Sequence, residues 1–127
     1  MKFSSISEKK IQNKFLKNGY YIFNIKNKSN LNIIKKRIIK FSRKWLKKKS
    51  INVKNVKYFL DNLHHYIEPK KLNEFRMFLY NEINNSKNFQ KIYYNLGKEY
   101  IDVLCGNELV MQRKCNLSIQ LPKDDSS

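Results

Sequence analysis

Asn116-Leu117-Ser118-Ile119-Gln120-Leu121 is the stretch on which the fold turns. Leu117, Ile119 and Leu121 alternate with Asn116, Ser118 and Gln120, the period of two expected of a strand with one buried face. Glu108 to Arg113 (ELVMQR) has the same strand character, and Pro122-Lys123-Asp124-Asp125 supplies a turn. Two strands alone are marginal. The pair therefore reads as the first strands of a sheet whose remaining strands lie outside these 127 residues.

Upstream the pattern is helical. Ser5 and Glu8 have the spacing of a capping box, ahead of Ile11, Phe15 and Leu16 at helical intervals. Gly19 suits the left-handed residue that ends a helix. Tyr20 to Ile25 (YYIFNI) reads as a short strand and Lys26 to Asn30 as a loop, with Ser29 or Asn30 as the next cap. Leu31, Ile34, Ile38, Phe41 and Trp45 recur at three- and four-residue steps, which predicts an amphipathic helix with a lysine-rich outer face. Lys47 to Ser50 interrupts it. A helix over Val56 to Ile67 follows, with Phe59, Leu60, Leu63 and Ile67 inward, and Pro69 opens another that carries Leu72, Phe75, Leu79 and Ile83. Asn84 and Asn85 end that helix. Ser86 is expected to cap a last one, with Phe89, Ile92, Leu96, Tyr100 and Leu104 inward, a weak point for a bend at Gly97 and a stop at Gly106. The expected fold class is α+β. A mostly helical N-terminal layer with one short strand (1–106) leads into core strands (107–127), all in one incomplete domain.

Composition bounds the function. A chain of 127 residues, 41% hydrophobic and 13% aromatic, is long enough for one real core and is not a disordered polymer. Its formal net charge is +17. Residues 1–60 hold eighteen Lys and Arg against the single acid Glu8, whereas residues 61–127 balance nine against nine. A basic surface of this kind attracts nucleic acid, an anionic membrane or a phosphorylated ligand. The competing reading is compositional: the chain has no Ala, abounds in Lys, Asn, Ile, Tyr and Phe, and owes nearly all its excess to Lys rather than to the forked Arg. Met1-Lys2-Phe3-Ser4-Ser5 lacks the apolar core of a secretion signal, and no apolar run approaches about 18 residues. A cytoplasmic chain without a membrane span, with free Cys105 and Cys115, is the expectation.

Few residue sets carry chemistry. His64 and His65 are adjacent, so on a helix their rings point about 100° apart and grip one metal poorly. Asp61 and Glu68 stand three residues before and after the pair. Cys105 and Cys115 lack two further ligands at zinc spacing. Asp124-Asp125 reads as a solvated turn. There is no glycine-rich phosphate loop and no nucleophile–base set. The polar residues Gln112, Arg113, Asn116, Ser118 and Gln120 cluster within nine positions, as on either a ligand-lined interior or the solvent side of an edge strand.

Gly106-Asn-Glu-Leu-Val-Met-Gln-Arg-Lys-Cys-Asn-Leu-Ser-Ile-Gln-Leu-Pro-Lys-Asp-Asp-Ser-Ser127 resembles a segment of the phytanoyl-CoA dioxygenase-like Fe(II)/2-oxoglutarate oxygenases of bacterial surface-carbohydrate clusters. The order of helix, Asn18-Gly19-Tyr20, strand and helix is similar to the N-terminus of that family. The resemblance implies a double-stranded β-helix (jelly roll) with helices packed outside. It implies hydroxylation or a related oxidation of a carbohydrate or its precursor, coupled to decarboxylation of 2-oxoglutarate. It also implies Fe(II) held by two His and a carboxylate. In the family those ligands follow the point where this sequence stops, and His64 and His65 do not match their motif. By the same resemblance Gln112 and Asn116 line the cosubstrate and substrate pocket, with Arg113 available to an anionic group. Fe(II) and 2-oxoglutarate are thus expected of a full-length enzyme, and neither binding nor activity of these residues alone. The alternative is a small basic helical protein that binds nucleic acid through Lys35, Lys36, Arg37, Lys40, Arg43, Lys44, Lys47, Lys48 and Lys49. A third reading is a remnant with an interaction role only.

Overall fold

Ser5 begins the first helix as expected. Its hydroxyl accepts from the Glu8 N–H at 3.2 Å, while the Glu8 carboxylate accepts from the Ser5 N–H at 2.6 Å. Helix α1 (Ile6–Asn18) closes on Gly19 at φ 77°, a left-handed conformation that costs glycine nothing. The computed structural model describes residues 5–47, 56–106 and 109–122. It contains α2 (Lys28–Leu46), α3 (Val56–Asp61), α4 (Leu72–Asn84) and α5 (Phe89–Cys105), with 3-10 turns at Leu63–His65 and Pro69–Lys71. Helix α2 is central and packs against α3, α4 and α5, while α1 lies on α5.

Most of the predicted inward positions form the core, joined by Ile39, which the spacing did not single out, whereas Leu31, Tyr100 and Leu104 belong to neither buried cluster. Phe59, Leu63, Ile67, Leu72, Phe75 and Leu79 are buried with Ile39 in one cluster, and Ile34, Ile83 and Phe89 in a second. Trp45 meets Phe75 edge-on at 5.2 Å between ring centres. Helix α1 departs from expectation. None of its residues is buried, and Phe15 and Leu16 remain 38% and 79% exposed. Its tie to α5 includes Gln12 Nε2 donating to the Val103 carbonyl at 3.2 Å.

Helix ends moved where polar side chains found other partners. Asn27, not Ser29 or Asn30, caps α2 by accepting from the Asn30 N–H at 3.1 Å. The single helix expected over Val56 to Ile67 breaks after Asp61. Asn62 donates to the Tyr58 carbonyl at 2.8 Å, a local bond that competes with the helical ladder. Ser86 does not cap α5, because its hydroxyl donates to Ile83 O at 2.6 Å and accepts from Arg37 Nη1 at 3.0 Å. Asn88 takes the cap position at φ 58°, a conformation asparagine tolerates.

The expected α+β class is overturned. Among the described residues there is no strand and no sheet, and hence none of the first strands of a double-stranded β-helix. Residues 20–27 and 109–122 are extended, but neither pairs with the other or with any strand. Glu108, the Asp124-Asp125 turn and Lys48 to Ser50 lie outside the described residues. The physical reason is that alternation reports a half-buried extended chain whatever covers it. Tyr21, Phe23 and Ile25 turn inward while Ile22 and Asn24 stay exposed, and Cys115, Leu117, Ile119 and Leu121 turn inward while Asn116, Ser118 and Gln120 stay exposed. Helices supply the apolar surface for both segments and, for 109–122, side-chain hydrogen bonds to the backbone in place of a neighbouring strand. No helix among the described residues is long and apolar enough to cross a membrane.

Candidate functional site

The second extended segment, 109–122, is a strap laid over the helical layer. Leu117 is its central anchor and packs against both core clusters. Asn84 of α4 grips the backbone of Cys115 as a neighbouring strand would. Its Oδ1 accepts from the Cys115 N–H at 2.7 Å, and its Nδ2 donates to the Cys115 carbonyl at 3.0 Å. Arg76 donates from Nε and Nη2 to the Ile119 carbonyl at 2.8 and 2.6 Å. Gln90 of α5 donates to the Gln112 carbonyl at 2.9 Å. Burial pushes the Cys115 thiol above its ordinary pKa, which keeps it protonated and inert.

This seat decides where the three singled-out pocket residues stand. Gln112, Arg113 and Asn116 are all exposed on the strap's outer side. Gln112 borders an apolar groove of about 490 Å³, whereas Arg113 and Asn116 do not line it. The groove runs between the two extended segments with α5 as its floor. Phe23 and Ile25 form one wall, Leu109 to Met111 the other, and Tyr93, Gly97 and Ile101 lie beneath. Phe23 stacks on Tyr100 at 4.1 Å. Gly97 lets it approach, since a Cβ there would stand 3.3 Å from Phe23 Cζ and 3.1 Å from Ile101 Cδ1. At the rim, the Tyr94 hydroxyl and Lys98 ammonium both donate to the Asp102 carboxylate. Those bonds hold Asp102 below the usual carboxylate range and raise Tyr94 and Lys98.

His64 and His65 sit on a 3-10 turn with ring centres 4.1 Å apart. His64 is half-buried and borders a second groove of about 280 Å³ beside the strap, with Asp61, Ser118 and Gln120. His65 is exposed. Among the described residues no three His, Cys, Asp or Glu side chains come together as metal ligands, so this part of the chain does not fit an iron triad.

The basic residues divide. Arg37 is tied to Ser86 and Lys44 to Glu82 at 3.0 Å. Lys35, Lys36, Lys40 and Lys47 are exposed, and Lys48 and Lys49 lie outside the described residues.

Sequence reasoning missed Asn84, Arg76 and Gln90 as clasps of the strap, because each acts across more than twenty residues and leaves no local periodic signal. The first wall of the groove had a signal in the alternation of Tyr21, Phe23 and Ile25. These features define a helical platform that carries two extended straps. No family model, curated protein or solved structure matches the chain.

Proposed function

We propose that this chain is the N-terminal helical part of an Fe(II)/2-oxoglutarate-dependent oxygenase that oxidises a carbohydrate or its precursor. The strap is the observation that carries the reading. Its backbone is clamped by Asn84 and Arg76, while Asn116, Ser118 and Gln120 form an exposed polar row. Those residues fall in the stretch that resembles the oxygenases, and the architecture of the part is the helical one described above. The residues described do not fit an iron triad, so no step at the metal is assigned to them. Their contribution is recognition. Gln112 and Asn116 donate amide N–H groups to a carboxylate or sugar hydroxyl, and Arg113 pairs with an anionic group.

Sequencing the locus past the codon for Ser127 tests the reading. A frame that runs into a His-x-Asp and a later His is the expected result, and a stop codon directly after Ser127 would overturn it. In the longer protein, Gln112→Ala and Asn116→Ala should each raise the KM for 2-oxoglutarate or substrate about tenfold, the loss of one hydrogen bond to a charged partner. Unchanged affinity and rate would remove both residues from the pocket.

A further inference from the structure

Helix α2 presents a row of lysines of which the packing engages only part. Lys36, Lys40 and Lys44 recur at steps of four, which places them on one side of the helix, and Lys47 follows directly as the left-handed cap residue. The helical part of the row, Lys36 to Lys44, runs for about 12 Å, at one lysine for roughly each 5.4 Å turn. Lys44 is engaged by Glu82 from α4. Lys36, Lys40 and Lys47 are exposed and meet no carboxylate among the described residues. The helix itself contains no Asp or Glu. Its C-terminal turn holds Arg43 and Lys44, with Lys47 as the cap residue, so positive charge there exceeds the roughly half negative charge of the helix dipole.

Compositional drift does not account for this row. Residues 61–127 draw on the same Lys-, Asn-, Ile- and Tyr-rich vocabulary, yet balance nine bases with nine acids. The excess is confined to residues 1–60, where Glu8 is the only acid.

We propose that the outer face of α2, through Lys36, Lys40 and Lys47, binds the phosphodiester backbone of a nucleic acid without regard to base sequence. Charge complementarity selects the partner: exposed ammonium groups spaced along one helix face and its C-terminal cap match a line of phosphates. Lysine supplies point charges rather than forks, which suits backbone contact and not base reading. The same face disfavours a bilayer, because Ile34 and Ile39 of α2 point into the core and are not there to insert. This inference stands apart from the oxygenase reading and does not rest on it.

The test is fluorescence anisotropy of a labelled mixed-sequence duplex of about 20 base pairs, titrated with the whole chain at about 50 mM salt and upward. Three phosphate contacts predict a slope of log K against log salt of about −3. The variant K36Q/K40Q/K47Q should lose about tenfold or more in affinity and flatten that slope. The matched variant K10Q/K14Q/K17Q, with the same charge removed from α1, should lose less than about threefold. All six side chains are exposed, and helical circular dichroism checks that both variants are folded. Absence of binding at the lowest salt, or equal losses from both variants, would overturn the proposal. So would sedimentation of the chain with phosphatidylglycerol vesicles under conditions where the duplex stays free.

Discussion

Asn84 shows how one side chain can stand in for a strand. It offers the same donor and acceptor that a backbone amide would, and Cys115 answers with its carbonyl and its N–H. It also donates to the Tyr80 carbonyl within its own helix at 2.8 Å, which fixes its orientation. Asn84→Ala leaves the Cys115 N–H and carbonyl without these partners and should destabilise the fold by about 1–3 kcal/mol. The Cys115 thiol reports on the release. In the wild type burial raises its pKa, so alkylation is suppressed at neutral pH and accelerates only as pH rises beyond the ordinary thiol range. In Asn84→Ala the rate at a fixed pH near neutrality should increase. A rate unchanged by the substitution would mean that Leu117 and its neighbours hold the strap unaided. The sequence placed Asn84 at the end of a helix, which was right. Its reach to a residue 31 positions away has no signature in local pattern.

Elements are where the reading succeeded and failed in the same residues. Helical spacing identified Phe59, Leu63, Ile67, Leu72, Phe75, Leu79, Ile83 and Phe89 as core positions, and all are buried. Alternation identified Leu117, Ile119 and Leu121 as the inward residues of the second extended segment, while 20–25 was legible only as an apolar, extended run. It did not reveal that helices rather than strands cover them, because period two is a property of the extended chain and not of its neighbour. Phe15 and Leu16 failed for a related reason: an apolar stripe states which side of a helix prefers burial, not that a surface arrives to bury it. The groove was legible only in its walls, since its floor on α5 depends on a tertiary approach at Gly97. That approach can be tested. Gly97→Ala should stay within about 1 kcal/mol of the wild type in urea unfolding, because alanine's better helix propensity offsets a small shift of the flexible Ile101 side chain. Gly97→Val adds branches where Phe23 is already stacked on Tyr100, and should cost about 2 kcal/mol. Equal stability of the two variants would show that Phe23 does not sit against this glycine in solution.

At the scale of the molecule, charge opposes the fold more than it supports it. Lys26–Glu99 and Lys44–Glu82, each 3.0 Å apart, tie the basic first half to the balanced second half. Both pairs reach the surface, where such contacts contribute about 0–1 kcal/mol. Against them stands the mutual repulsion of a net charge of +17 spread over a domain of 127 residues. If the pairs dominated, salt would weaken the protein; if repulsion dominates, salt strengthens it by shortening the screening length from about 30 Å at 0.01 M to about 8 Å at 0.15 M. The charges decide for repulsion, because weak surface pairs such as these stand against a net excess of +17 confined to residues 1–60. The Tm measured by circular dichroism should therefore rise across that range of sodium chloride. The gain should be smaller in K36Q/K40Q/K47Q, which removes part of the repulsion beforehand. A Tm that falls with added salt would place the net electrostatic balance with the ion pairs, and would remove self-repulsion as the force that a polyanion bound along α2 relieves.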